Sequence, residues 1–265
     1  MVDLEYVCNE VRKSVAEVAV FIRESRITFD STRIEKKAKN DLVSYVDVES
    51  ERMLVAALAG ILPVAGFITE ENTKNERKEL NWIIDPLDGT TNFIHGIPAY
   101  CISVALARDR QIILAVVHEV VHSETFYTIA GGKSYLNGKP IHVSSNPEIK
   151  ESLIATGFPV NDFEHMEAYK SAIEYFIRNT HGIRRIGTAA ADLCYVACGR
   201  FDGFFELNLK PWDVAAGALI VKNAGGTVTD FSGSDDWLFG RSIIASSDKI
   251  HESFFEIVST SFAIG

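Results

Sequence analysis

A chain of 265 residues is long enough for one large α/β domain or two closely apposed halves, and a 47% apolar fraction with 3 Trp and 16 Phe supplies a substantial core. Its 26 Lys and Arg against 36 Asp and Glu leave a formal net charge of −10, which argues against direct nucleic-acid binding, because a phosphate backbone is held by clustered basic side chains. A small phosphorylated substrate stays open, since a bound Mg²⁺ inverts the local sign of a carboxylate site.

Leu4, Val7, Cys8, Val11, Val15, Val18, Ala19 and Ile22 recur at helical spacing, predicting an amphipathic helix at the start of the chain. Asp3, Glu5, Glu10 and Glu17 interrupt it, so it does not read as a signal peptide, and no apolar run reaches the length of a membrane span. A polar loop is expected over residues 30–40, then a helix over 46–62 and a strand over 64–68 that ends at Thr69-Glu70-Glu71. Trp82-Ile83-Ile84 reads as a short buried strand. Antiparallel strands follow over 102–107, 112–118 and 124–129, with turns at Asp109-Arg110 and Asn137-Gly138.

The polar stretch Ser144-Ser145-Asn146-Pro147 marks a boundary between an N-terminal α+β half, 1–146, and a C-terminal α/β half, 147–265. In the second half strands over 153–156, 183–186 and 201–206 alternate with helices over 166–178, 188–198 and 214–223. Gly225-Gly226 ends the last of these as a C-terminal glycine should. Strands over 227–230 and 242–245 and a helix from Asp248 close the chain. Stacked helix and sheet layers result, with a site between the halves, a common place for a small ligand. Cys8, Cys101, Cys194 and Cys198 read as buried thiols with no zinc spacing, and the chain as cytoplasmic.

Asp85-Pro86-Leu87-Asp88-Gly89-Thr90-Thr91-Asn92 carries the chemistry. Both acids emerge at the carboxyl end of a buried strand, where open α/β sheets place their ligands. Pro86 fixes φ between them, Gly89 allows close approach, and Thr90-Thr91 opens the next segment with free N–H groups. Carboxylates on one side and N–H donors on the other suit a divalent cation against a phosphate; a plain turn is the bland alternative. Glu70, at the end of the preceding strand, reaches the same rim unless it is solvated like Glu71, Glu76 and Glu79. Asp213, in Trp212-Asp213-Val214-Ala215-Ala216-Gly217, is either a helix cap or a ligand, and Thr188, in Gly187-Thr188-Ala189-Ala190, reads as an N-cap. Hard oxygen donors, with a main-chain carbonyl at Leu87, point to Mg²⁺ rather than zinc. Two such ions sharing a carboxylate polarise a phosphate and generate hydroxide in place, so no protein nucleophile is required. The chain has no Gly-x-Ser-x-Gly, Walker or Gly-x-Gly-x-x-Gly motif.

Thr69-Glu70-Glu71, Trp82 to Phe93, Gly187 to Ala190 and Trp212 to Gly217, in this order and spacing, resemble the inositol monophosphatase family of Mg²⁺-dependent, lithium-sensitive phosphatases over nearly the whole chain. The resemblance implies a five-layered αβαβα sandwich of the sugar-phosphatase kind, a homodimer, and two or three Mg²⁺ per active site. By position, Glu70, Asp85 and the Leu87 carbonyl match ligands of a first metal, and Asp85, Asp88 and Asp213 those of a second. Glu70 also matches a contributor to a third site. Gly89 and Thr90 match the phosphate-binding backbone, Thr90 with Glu70 the pair that orients the attacking water, and Ala189 and Glu206 contacts to inositol hydroxyls. Lys36, Asp41 and Asp47 match a mobile loop associated with the third metal.

Thr91-Asn92 resembles the inositol branch, where the bisphosphate-nucleotide branch has Lys-Glu, and Leu209-Lys210-Pro211-Trp212 resembles bacterial members. Thr156-Gly157-Phe158-Pro159 departs from the animal enzymes on one side of the pocket. The expected activity is hydrolysis of inositol monophosphate, a small phosphorylated polyol. The alternatives are a broader sugar-phosphate or NADP(H) phosphatase, fructose bisphosphate included, or a regulatory protein associating with the transcription machinery.

Overall fold

The computed structural model describes residues 2–29, 34–38, 41–159 and 162–263. Helix α1 (Leu4–Ile27) starts at Asp3, whose side chain accepts the Tyr6 N–H at 3.1 Å, and buries Val7, Val11, Val15, Val18 and Ile22 along one stripe. Where a loop was expected over 30–40, β1 (Ile34–Ala38) pairs antiparallel with β2 (Asp41–Ser44). The charged sequence Glu35-Lys36-Lys37 has no apolar alternation to betray a strand, so main-chain pairing alone defines this strand pair. Helix α2 (Tyr45–Ile61) then leads to β3 (Gly66–Thr69) and β4 (Leu80–Asp88).

The short helix α3 (Thr90–His95) follows, then β5 (Cys101–Arg108), β6 (Gln111–Glu119), β7 (Glu124–Ile129), β8 (Tyr135–Leu136) and β9 (Lys139–Pro140). These strands form a seven-stranded sheet in the order β3-β4-β5-β6-β7-β8-β9, parallel at β3–β4 and antiparallel elsewhere. Asp109 and Asn137, at the two turns read from sequence, both adopt positive φ (54° and 48°).

In the second half, β10 (Leu153–Thr156), α4 (Met166–Asn179), β11 (Gly182–Arg184), α5 (Ala189–Ala197), β12 (Gly203–Leu207), α6 (Pro211–Asn223), β13 (Gly226–Thr229), β14 (Ser242–Ser247) and α7 (His251–Ala263) complete the chain. Their strands form a five-stranded sheet ordered β11-β10-β12-β14-β13.

Helices α1 and α2 cover the outer face of the larger sheet, α5 and α6 lie between the sheets, and α4 and α7 cover the outer face of the smaller one. The fold is a layered α/β sandwich, helix–sheet–helix–sheet–helix. Strand alternation sorts the core: Ile83, Ala105 and Val117 face the central helices, while Ile84, Val104 and Val116 face α1 and α2. The central pair is buried along most of its length and mostly apolar, as a layer covered on both faces must be, with Asp192 of α5 the acidic exception among its buried residues. Gly217 of α6 permits their contact, because a Cβ there would stand 2.6 Å from the Leu193 side chain. Three of the cysteines are buried as expected, but Cys198 is partly exposed, because it caps the C-terminal end of α5.

Candidate functional site

The strand read as Trp82–Ile84 runs on to Asp88, so the two acids belong to its end. Residues three apart on a regular strand face opposite sides, yet here Asp85 pairs with Ser103 and Asp88 with Cys101, two residues apart on β5. The bulge between them, at Pro86 with its missing N–H, turns both carboxylates to the same, central face. Asp85 is 2% exposed, and its Oδ1 accepts the Leu87 N–H at 2.9 Å. Its carboxyl lies in hydrogen-bonding contact with that of Glu70, which follows β3 and is partly exposed. Burial, then the charges of Glu70, Asp88 and Asp213, push Asp85 well above the usual carboxylate range.

Asp88 points at the start of α5. Its Oδ2 accepts the Thr188 hydroxyl at 2.6 Å and the Ala190 N–H at 2.7 Å. Burial raises its carboxyl to about 6 against the opposing effect of these two donors and Arg185. Thr188 is thus both the N-cap of α5 and a clamp on Asp88. Asp213 lies in the first turn of α6, where Oδ2 accepts the Lys210 N–H at 2.7 Å, and burial with Asp88 and Glu70 raises it strongly. Ser103 Oγ donates to the Trp212 carbonyl at 3.0 Å, fixing that helix end to the larger sheet.

Gly89 is the N-cap of α3 with φ 98°, a left-handed conformation that a side chain would strain. The Thr90 hydroxyl lies 2.7 Å from Asp47 Oδ1 and 3.0 Å from the Leu87 carbonyl. Asp47 was expected on a mobile loop; instead it is fully buried in the first turn of α2, and its Oδ2 accepts the Ser44 N–H and hydroxyl at 2.9 and 2.6 Å. The side chains of its loop companions Lys36 and Asp41 lie outside the described residues. Thr90, expected to orient the attacking water together with Glu70, has its hydroxyl bonded to Asp47 Oδ1.

Ala189 opens α5 and is buried next to the Asp88 clamp. Glu206 lies in β12, partly buried, and burial with the charge of Asp88 raises its carboxyl to about 8 while Arg185 opposes the shift. The stretch Thr156 to Pro159 meets it directly: a Cβ on Gly157 would stand 2.0 Å from the Glu206 carboxyl and force that carboxyl to shift. The Arg185 guanidinium lies over the exposed Phe158 ring, 5.7 Å from its centroid.

Among the described residues, no three carboxylate, imidazole or thiol groups form a closed cage as they stand. Glu70, Asp85, Asp88 and Asp213 nevertheless influence one another's ionisation, and Asp88 and Asp213 each commit one oxygen to protein donors. This hard-oxygen set with the Leu87 carbonyl fits Mg²⁺, whose positive charge would balance buried acids that otherwise drive one another's protonation.

The inositol monophosphatase family model matches residues 3–262. The chain belongs to the inositol monophosphatase family. It is 46% identical over 232 residues to a putative Nus factor SuhB of Neisseria meningitidis, covering 87% of this chain and 89% of the relative. It is 36% identical over 228 residues to an inositol-1-monophosphatase of Mesorhizobium japonicum, covering 85% and 86%. The extragenic suppressor protein suhB of Bartonella henselae superposes with a TM-score of 0.91 at 34% identity, covering 96% of this chain and 98% of that one. A Thermotoga maritima IMPase superposes with a TM-score of 0.88 at 35% identity, covering 96% of each. Among the described residues no helix is long and apolar enough to cross a membrane.

Asn92, already part of the segment read as carrying the chemistry, has a bracing task as well, and two further polar residues, Asp192 and Glu51, escaped sequence reading. Asn92 donates through Nδ2 to the carbonyls of Ala99 and Ile186 at 2.8 and 2.9 Å, tying α3 to the loop before Thr188. Asp192 is buried in α5, and its Oδ1 finds no hydrogen-bond partner among the described residues. Glu51 is fully buried in α2. Neither Asp192 nor Glu51 had a local signal, although the Ser44–Asp47 spacing of a capping box was readable as one for Asp47.

Proposed function

We propose that this protein is a cytoplasmic, Mg²⁺-dependent phosphomonoesterase that hydrolyses inositol monophosphate to inositol and phosphate. The observation that carries the reading is the β4 bulge, which sets Asp85 and Asp88 on one face beside Glu70 and Asp213, with the α3 N-terminus following at once. Glu70, Asp85, the Leu87 carbonyl, Asp88 and Asp213 would hold two cations, with a third weaker site at Glu70. Mg²⁺ there supplies positive charge for the phosphate oxygens and acidifies water.

The chain's own groups do the rest. Main-chain N–H groups at Gly89 and Thr90 receive the phosphate. The Thr90 hydroxyl, donating to Asp47 Oδ1, keeps its lone pairs for a proton of the attacking water and so aims the water oxygen at phosphorus. The water oxygen bonds to phosphorus and releases one proton to solvent as the ester P–O bond breaks, and the departing inositol oxygen takes one proton from solvent, so the products are inositol and hydrogen phosphate. Glu206, next to Gly157, and Ala189 face the polyol. A homodimer is the assembly that fits the family.

The test is phosphate release from inositol phosphates, fructose bisphosphate, NADP⁺ and adenosine bisphosphate, with Mg²⁺ and with EDTA. Inositol monophosphate is expected to have the highest kcat/KM, and activity to vanish in chelator and return with Mg²⁺. Full turnover by stripped protein in EDTA sinks the metal reading, and preference for another substrate sinks only the inositol assignment.

A second reading, association with the transcription machinery, is favoured by the name Putative Nus factor SuhB carried by the Neisseria relative. With a net charge of −10, protein rather than RNA would be the partner. Co-purification with RNA polymerase from cells, unaffected by Asp85→Asn, is the expected result for that role.

A further inference from the structure

Helix α2 presents two fully buried acids four residues apart, Asp47 and Glu51, on one face. Asp47 holds Thr90. Glu51 makes no ion pair among the described residues, a costly state for a buried carboxylate unless donors surround it. Three do. Oε2 accepts the Glu71 N–H at 2.7 Å, and Oε1 accepts both the Thr73 N–H at 2.8 Å and the Thr73 hydroxyl at 2.7 Å.

These donors belong to the turn that begins at Glu70. It passes through Asn72 at φ 56°, whose Nδ2 donates to the Glu70 carbonyl at 3.2 Å, and the Thr69 hydroxyl reaches the Lys74 carbonyl at 3.1 Å. On its other side the turn is fixed by the Glu70 N–H to the Ile84 carbonyl at 3.3 Å, one residue before Asp85. The main chain of Glu70 is therefore held between β4 and the Glu51 carboxylate.

We propose that Glu51 is a positioning residue that sets the divalent-cation affinity of the site by holding the turn that carries Glu70. The assignment rests on the metal reading of Glu70. Glu51 touches neither substrate nor cation. Its two oxygens accept three N–H and O–H donors, an arrangement a Gln amide satisfies poorly, because it replaces one accepting oxygen by an NH2 group that faces the donors on that side. Through one rigid helix, the turn bearing Glu70 and the hydroxyl of Thr90 keep a fixed mutual placement.

The experiment uses the whole chain, with Glu51→Gln, Thr73→Val and Glu70→Gln beside wild type. Mn²⁺ alone is titrated and followed by electron paramagnetic resonance of the free ion. The Mg²⁺ dependence of phosphate release and the thermal midpoint are measured in parallel. Glu51→Gln is expected to weaken the tightest Mn²⁺ site roughly tenfold, the scale for loss of an outer support to a ligand, and to raise half-saturating Mg²⁺ equally. Excess Mg²⁺ should restore its kcat. Thr73→Val, which removes one neutral donor, should move both constants the same way by less, and it decides the matter if Glu51→Gln does not fold.

Unchanged Mn²⁺ affinity in a folded Glu51→Gln, where Glu70→Gln does lose that affinity, overturns the positioning role and leaves the metal reading intact. A lower melting point without any shift in metal dependence overturns it too. If Glu70→Gln itself binds Mn²⁺ like wild type, the metal reading falls and this role with it.

Discussion

Thr188→Val distinguishes helix capping from support of the metal site. The Thr188 hydroxyl donates to Asp88 Oδ2 at 2.6 Å and, as the N-cap of α5, accepts the Ala191 N–H at 3.4 Å. Valine keeps the branched outline, so loss of the hydroxyl is the perturbation and no sizeable cavity arises. The cap bond is long, and its loss should fall at the low end of the usual range, about 0.5 kcal/mol. The bond to Asp88 has a charged acceptor, for which about 1.5–3 kcal/mol is typical. Because the Ala190 N–H still holds the same oxygen at 2.7 Å, the lower figure applies.

The unfolding free energy in urea should therefore drop by about 2 kcal/mol at neutral pH, three-quarters of it from the Asp88 bond. With one donor left, the Asp88 carboxyl rises further above about 6 and loses its fixed orientation. Half-saturating Mg²⁺ in a phosphate-release assay should then climb by roughly 10- to 100-fold, the range seen when a ligand loses an outer-shell partner. Thr188→Ser, which keeps the hydroxyl, should recover most of both losses. A valine variant that loses only about 0.5 kcal/mol and keeps its Mg²⁺ dependence would refute the reasoning and reduce Thr188 to a cap.

Asp85→Asn should leave the fold intact while removing more than about 3 kcal/mol of transition-state stabilisation, and a variant within about tenfold of wild-type kcat excludes a bridging role. Glu206→Gln should raise KM for inositol phosphate by an amount worth roughly 1.5–3 kcal/mol in kcat/KM, yet barely affect a small aryl phosphate; equal losses on both substrates move Glu206 into support of the metal site. Metal-free protein should lose stability as pH rises from about 6.5 to about 8. Glu206, at about 8 when folded, keeps there a proton that the unfolded chain has released, so ΔG of unfolding falls by up to about 1.4 kcal/mol per pH unit for that group. Buried His118, lowered to about 4, pulls the other way only below its ordinary value of 6.5, where the unfolded chain binds the proton first, and so stays out of this window. Mg²⁺ should flatten the profile, and melting midpoints in EDTA that do not fall across this window contradict the Glu206 assignment.

What the sequence discloses depends on how local the cause is. Asp85, Asp88 and Gly89 were legible because one short segment holds the buried strand, the proline that breaks its pairing and the glycine that turns it. The antiparallel pairing of 34–38 with 41–44 was not, since Glu35-Lys36-Lys37 carries no apolar alternation and becomes visible only through pairing. Helix α2 shows the limit most clearly. Periodicity finds its apolar face of Val46, Leu54 and Leu58, while Asp47, Ser50 and Glu51 read as the solvated side. All three are buried, because residues 70–73 and Thr90 pack over that side, and no pattern within the helix encodes a contact 20 or 43 residues away. The one local trace is the Ser44–Asp47 spacing, which fixes an acid at the start of α2. In capping, Asp47 spends only Oδ2, on the Ser44 N–H and hydroxyl, and Oδ1 is left for Thr90. A cap thus becomes part of a site when the element that packs over it brings a hydroxyl to the oxygen the helix does not use.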